Sequence, residues 1–236
     1  KTKEFRSSLK TASDDLLLKY QFVDKPKKLK IGFVSGDFRQ HPVGFFLLDI
    51  LKNLKNENLE LIAYSNLKEE DDLSTKLKSY FINWHEIAKQ DDLKIINQIR
   101  KDGIHILFDL SGHTAKNKLP IFINKPAPIQ VSWAGYNGST GIPEIDYLIG
   151  DPIVTPNSEN NYYTEKIFQL PNIWVCFSPP DFEVNLGKLP MIKNKHVTFG
   201  CFNNLSKIND KVIDLWSRIL KEIPKSKIFL KTKELN

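Results

Sequence analysis

KIGFVSGDFRQHPVGFFLLDILKNL, residues 30–54, decides the fold. Residues 30–34 form a short apolar run that ends in turn residues, the pattern of a strand. Residues 43–54 then carry apolar side chains at helical spacing, with Phe46, Ile50 and Leu51 on one face. Between them residues 35–42 make a loop containing Asp37 and His41. Strand, loop and helix in that order open a doubly wound α/β sheet. The loop lacks the three spaced glycines of the dinucleotide fingerprint, which argues against a dehydrogenase.

The pattern continues outward. Residues 59–64 read as a second strand, with a helix near 73–80 and a short third strand within 81–87. Residues 92–101 form an amphipathic helix with Leu93, Ile96 and Ile99 on one side, stopped by Asp102-Gly103. Residues 104–110 read as a continuous apolar strand buried on both faces, as parallel strands are. Further strands follow at 129–133 and 145–149. Residues 171–195, with Pro179-Pro180, have the composition of a linker. A second strand–helix–strand then begins, with a strand at 196–202, a helix at 211–222 and a strand at 228–231. The fold class is therefore α/β with a mostly parallel, Rossmann-like sheet, followed by the beginning of a second Rossmann-like domain that three elements cannot close. The expected division is a lead-in at 1–27, a first domain at 28–170, a linker at 171–195 and a truncated second domain at 196–236.

Composition narrows the function classes. At 236 residues, 41% hydrophobic and 26% charged, the chain has the make-up of a globular protein with room for one large or two modest domains. Its net charge of +6 is spread along the sequence with no basic block interleaved with aromatics, so nucleic acid is not an expected partner. Cys176 and Cys201 form no C-x-x-C pair and the five histidines show no zinc spacing, so neither a disulfide scaffold nor a metal site is expected. No apolar run approaches the roughly 20 residues that span a bilayer, and no signal peptide opens the chain. The expectation is a cytoplasmic protein without membrane attachment. Both ends read as cut edges.

Two places concentrate chemistry. His41, in the loop after the first strand, and Asp109 and His113, in the loop after the strand at 104–110, are delivered to one sheet edge, where open α/β sheets bind ligands. An imidazole there either stabilises its loop or trades protons near neutrality. Residues 200–213, GCFNNLSKINDKVI, form a strand-to-helix turn carrying Asn203, Asn204, Ser206 and Lys207, with Asn209 or Asp210 as helix cap. Such a turn suits a phosphate, although a lysine in it can equally face water. Asp102 and His105 flank a helix-to-strand turn, while His85 and His196 read as structural. The glycine-rich loop at 135–141 lacks a Walker lysine and serves either close ligand approach or turn geometry.

Taken in order, DFRQHPV (37–43), DGI (102–104), DLSGHT (109–114), KPAPIQ (125–130), WAGY (133–136), DY (146–147) and FNNLSKI (202–208) resemble the catalytic region of the O-GlcNAc transferase and SPINDLY-like glycosyltransferases, over about residues 28–232. The resemblance implies a GT-B fold, with an acceptor-side domain followed by a nucleotide-sugar-binding domain. It implies inverting, metal-independent transfer of GlcNAc from UDP-GlcNAc, or of fucose from GDP-fucose in the SPINDLY branch, to Ser or Thr hydroxyls of proteins. TPR repeats usually precede such a region. On the matching positions, His41 lies at the reacting sugar and Lys207 on the diphosphate. Asn204 replaces a nucleotide-touching Gln, and Ser206 stands where a Tyr is frequent. Asp109, His113 and Asp102 are further cleft candidates. No cofactor is implied beyond the nucleotide sugar, and these 236 residues alone are expected to be inactive. A non-catalytic binding module of the same ancestry is the competing reading.

Overall fold

The computed structural model describes every residue except 1, 22, 24, 55–57, 180, 181, 184, 233, 234 and 236, and omits the side chains of Thr2 and Lys3. Pro180 of the Pro179-Pro180 pair thus lies outside the described residues. The chain divides into two compact units, Lys1–Pro179 and Pro180–Asn236.

The first unit runs α1 (Thr2–Ser8), β1 (Leu29–Ser35), α2 (Pro42–Leu54), β2 (Leu59–Ser65), α3 (Asp72–Lys78), β3 (Asn83–Glu86), α4 (Asp92–Asp102), β4 (Ile106–Asp109), α5 (Leu119–Phe122), β5 (Ile129–Ser132), β6 (Tyr147–Gly150) and β7 (Lys166–Gln169). All seven strands pair in parallel, in the order β3-β2-β1-β4-β5-β6-β7. The chain winds outward from β1 to β3, then returns to β4 on the other side of β1. The switch point therefore lies between β1 and β4, and the loops leaving those strands diverge there.

Alternation along the strands divides the core into two layers. Ile31, Phe33, Leu61 and Ala63 pack with Val43, Leu47 and Leu51 of α2 and Leu73 and Leu77 of α3. Val34, Ile62, Tyr64 and Leu107 pack on the opposite face with Ile95, Ile96 and Ile99 of α4 and Leu119, Ile121 and Phe122 of α5. The buried stripe of α2 is thus Val43, Gly44, Leu47 and Leu51, with Phe46 and Ile50 only half-buried, a correction to the expected face. On α4 the buried set is Ile95, Ile96 and Ile99, with Leu93 at the margin. Gly103 ends α4 in the left-handed region at φ 69°, as its glycine suggests.

β4 is shorter than the 104–110 run, and at its entry the His105 ring accepts the Lys30 N–H at 3.0 Å while the His105 backbone still bonds Lys30 and Ile129. Ile106 and Phe108 are half-buried, so β4 is not enclosed equally on both faces.

The lead-in at 1–27 is packed. Phe5, Leu9 and Leu17 rest on the core, and the Arg6 guanidinium forms a fork on the Glu144 carboxylate, with Nε 3.1 Å from Oε2. Of the 171–195 stretch, residues through 179 belong to the first unit. Ser178 donates its N–H to the Phe45 carbonyl at 3.3 Å, its hydroxyl oxygen accepts the Asp49 N–H at 3.1 Å, and Phe177 lies against Phe45 and Phe46.

The second unit holds α6 (Pro190–Asn194), β8 (Thr198–Cys201), α7 (Asp210–Glu222) and β9 (Lys227–Leu230), with β8 and β9 paired in parallel. None of its described residues is buried, and Ile213, Leu215 and Ile219 of α7 are exposed. One strand–helix–strand has too little surface to enclose a core.

Candidate functional site

The loop leaving β1 is fixed from within. Asp37, nearly buried, donates its N–H to the Ser35 hydroxyl at 2.9 Å, and the Gln40 N–H reaches Asp71 Oδ2 at 2.7 Å. Asp71 also caps α3 through the Ser74 N–H, so one carboxylate ties this loop to a helix start. His41 precedes α2, and its Nδ1 accepts the Val43 N–H at 3.3 Å, with Asp37 Oδ2 3.8 Å away. Burial lowers the imidazole's pKa from its usual value. Asp37 opposes this, while Arg39 and Lys116 reinforce it. A neutral ring whose Nδ1 accepts a backbone N–H carries its proton on Nε2.

Asp109 closes β4 and is completely buried. Its carboxylate accepts the Ser111 N–H at 3.1 Å and the Gly112 N–H at 2.8 Å, and it lies 3.5 Å from the Ser132 hydroxyl. Burial pushes its carboxyl up to about 6, against the downward pull of those hydrogen bonds and with a further push from Glu165. Asp109 therefore shapes the loop that presents His113. The His113 Nε2 lies 2.8 Å from the Thr140 carbonyl, and its ring sits edge-on between Phe5 of α1, at 4.9 Å, and Tyr136, at 5.6 Å.

The loops after β4 and β5 interlock. A Cβ on Gly135 would fall 2.1 Å from the Leu110 carbonyl oxygen, so the backbone approach at that position requires glycine. Glu165, buried, accepts the Thr140 N–H at 2.7 Å and hydroxyls of Ser139 and Thr140, which fixes the carbonyl that meets His113.

His41, Asp109 and His113 thus share the exit edge of the sheet, but each is held by its own neighbours. Asp102 is elsewhere. It stands at the entry end of β4, where its carboxylate accepts the Tyr64 hydroxyl at 2.6 Å and the Gln98 amide at 2.7 Å, with His85 Nε2 at 3.0 Å. The cleft assignment of Asp102 is therefore corrected. The residue anchors a network beneath α4, because a carboxylate at the end of that helix meets the Tyr64 and His85 side chains from β2 and β3.

In the second unit, Asn204, Ser206 and Lys207 lie exposed on the turn between β8 and α7. Asn204 Oδ1 accepts the Ser206 N–H at 2.9 Å, and the Lys207 N–H bonds the Asn204 carbonyl at 3.0 Å. Asn209, not Asp210, caps α7 by accepting the Val212 N–H at 3.1 Å. Among the described residues no group of three His, Cys, Asp or Glu side chains is placed to hold a metal ion, and no helix is long and apolar enough to cross a membrane.

Sequence reasoning missed Phe5, Thr140 and Glu165 as supports of the exit edge. Only the isolated acid before β7 gave any signal, since periodicity says nothing about which distant loop a side chain meets.

Comparison with known proteins bears on this edge. The profile of glycosyl transferase family 41 matches residues 14–178. A Petunia hybrida protein named probable UDP-N-acetylglucosamine–peptide N-acetylglucosaminyltransferase SPINDLY is 36% identical over 89% of this chain and 23% of its own length. The Arabidopsis thaliana protein of the same activity name, SEC, is 33% identical over 86% of this chain and 22% of its own. Among solved structures, a lysine-to-methionine mutant of Thermobaculum terrenum O-GlcNAc transferase matches with a TM-score of 0.84 and 33% identity, covering 97% of this chain and 43% of that one. The chain thus spans less than a quarter of the length of these curated relatives.

Proposed function

The chain belongs to glycosyl transferase family 41, and we propose that it forms the acceptor-side domain, with the start of the donor-side domain, of a protein O-GlcNAc transferase. The reaction moves GlcNAc from UDP-GlcNAc to a Ser or Thr hydroxyl of a peptide, inverts the anomeric carbon and uses no metal. The observation that carries the reading is the family match over residues 14–178, which includes the His41 loop and is followed by the Lys207 turn in the second unit. An imidazole stands at the exit of β1 beside the switch point, and a lysine stands on the strand-to-helix turn that opens the second unit.

In this mechanism Lys207 meets the diphosphate. As the bond to the anomeric carbon breaks, negative charge grows on the departing UDP oxygen. A fixed cation there stabilises the transition state more than the ground state. Asn204 and Ser206 line the same turn toward the nucleotide. His41 contributes through Nε2–H. With Nδ1 engaged by the Val43 N–H, the ring donates a hydrogen bond to an oxygen of the sugar or acceptor. As the new C1–O bond forms and the C1–phosphate bond breaks, the acceptor's proton passes to a phosphate oxygen of the departing UDP. His113, carried on the Asp109 loop, stands at the exit edge of the acceptor-side sheet.

The test is mass analysis of a Ser/Thr peptide incubated with the full-length natural protein and a panel of UDP- and GDP-sugars, with and without EDTA. A mass gain of one HexNAc from UDP-GlcNAc, unaffected by EDTA, supports the reading. Transfer of deoxyhexose from GDP-fucose alone moves the protein to the fucosyl branch, and no transfer from any donor supports a binding module.

A further inference from the structure

Glu165 stands just before β7, the outermost strand of the sheet, and is only 4% exposed. A carboxylate so enclosed is costly unless its oxygens are filled. Oε1 accepts the Thr140 N–H at 2.7 Å and the Thr140 hydroxyl. Oε2 accepts the Ser139 hydroxyl at 2.8 Å and the Thr164 hydroxyl at 3.0 Å. The Ser139 oxygen in turn accepts the Gly141 N–H at 3.1 Å. Both peptide units around Thr140 are therefore tied to this one acid, and the direction of the Thr140 carbonyl is set.

That carbonyl lies 2.8 Å from His113 Nε2. A carbonyl oxygen only accepts, so Nε2 carries the ring proton, and in the neutral imidazole Nδ1 keeps a lone pair. Phe5 and Tyr136, edge-on at 4.9 and 5.6 Å, hold the ring in place. Nδ1 has no hydrogen-bond partner among the described residues, and it is not one of the buried polar atoms left without a partner. The half-buried ring thus keeps an accessible lone pair on the loop after β4, at the edge where an open α/β sheet binds its ligand.

We propose that Glu165 is a positioning residue for the transfer reaction. Acting through Thr140, it holds His113 as the Nε2–H tautomer, and Nδ1 accepts a hydrogen bond from a hydroxyl of the bound substrate. This rests on the transfer reading above. The acceptor's Ser or Thr and the sugar ring both offer that O–H donor. With the proton on Nδ1 instead, the Thr140 carbonyl would face a lone pair and the substrate hydroxyl would meet a second donor.

The first measurement needs no catalysis. Nitrogen NMR of the neutral His113 ring in this chain should place the proton on Nε2. Glu165→Gln should keep that pattern, because its amide oxygen accepts from Thr140 while its NH2 donates to the Ser139 and Thr164 hydroxyls. Glu165→Ala should mix the two tautomers. In the full-length natural protein, Glu165→Ala and His113→Phe should each lower peptide glycosylation about tenfold, with Glu165→Gln near wild type. The double variant should be no worse than His113→Phe alone. A KM rise confined to the peptide assigns the hydroxyl to the acceptor, and one confined to UDP-GlcNAc assigns it to the sugar. Thermal melts report whether each variant folds, and His113→Phe, which keeps a ring between Phe5 and Tyr136, carries the test if Glu165→Ala does not. A proton on Nδ1 in the wild type, an unaltered tautomer in folded Glu165→Ala, wild-type turnover in His113→Phe, or losses that add in the double variant would each overturn the proposal. A wild-type protein that transfers no sugar refutes the transfer reading instead, and the NMR result reads the Glu165–His113 linkage separately.

Discussion

Replacing Asp109 with Asn should flatten one component of the pH dependence of stability. The carboxyl is buried and titrates near 6 in the folded chain, against an unfolded value near 3.8. Between these values the folded state binds more protons than the unfolded state, so stability falls as pH rises through the window and levels off above about 6. A displacement of about two pH units corresponds to about 3 kcal/mol lost between pH 4 and pH 7. Asp71, Asp102 and Glu144 have lowered values and act at lower pH in the opposite sense, so the quantity to measure is a difference. Urea unfolding of wild type and Asp109→Asn from pH 4 to 7 isolates it. Wild type should lose about 3 kcal/mol relative to the variant as pH rises, and the Asp109 carboxyl carbon should titrate near 6 by NMR. A difference that stays constant across the range would show that the desolvation cost has been misassigned.

Gly135→Ala should destabilise the first unit by about 3 kcal/mol or more, because the new methyl meets a backbone carbonyl, whereas Gly187→Ala, with nothing within 4 Å, should leave chemical denaturation unchanged. Phe5→Ala should cost about 2 kcal/mol of stability and shift the His113 ring resonances, since that ring loses one of its two aromatic neighbours. The His41 imidazole should titrate below the usual histidine value by NMR, and Asp37→Asn should lower it further, because a carboxylate that favours the charged ring is removed.

The doubly wound fold was legible wherever a strand and its helix were both long or sharply bounded. β1 with α2, α4 with its Gly103 stop, and β8 with α7 were all visible from spacing and caps. β7 and α5 were not, since four residues carry too little periodicity. The packing of α1 escaped too, because Phe5 reads as one apolar residue in a polar stretch until its contact with His113 is known. The exit-edge position of His41, Asp109 and His113 followed from strand order alone. Their partners did not, since hydrogen bonds such as His113 to Thr140 join segments that no local pattern connects. Asp102 misled for a related reason. Its motif is contiguous with β4, but a helix end and a strand exit lie at opposite edges of a parallel sheet.

The most direct test of the account is transfer of radiolabelled GlcNAc from UDP-GlcNAc to a Ser/Thr peptide by the full-length natural protein, compared with Lys207→Ala. Loss of a cation that stabilises the leaving diphosphate should lower kcat by about a hundredfold or more. A variant that retains wild-type turnover would contradict the role of Lys207 and the mechanism built on it.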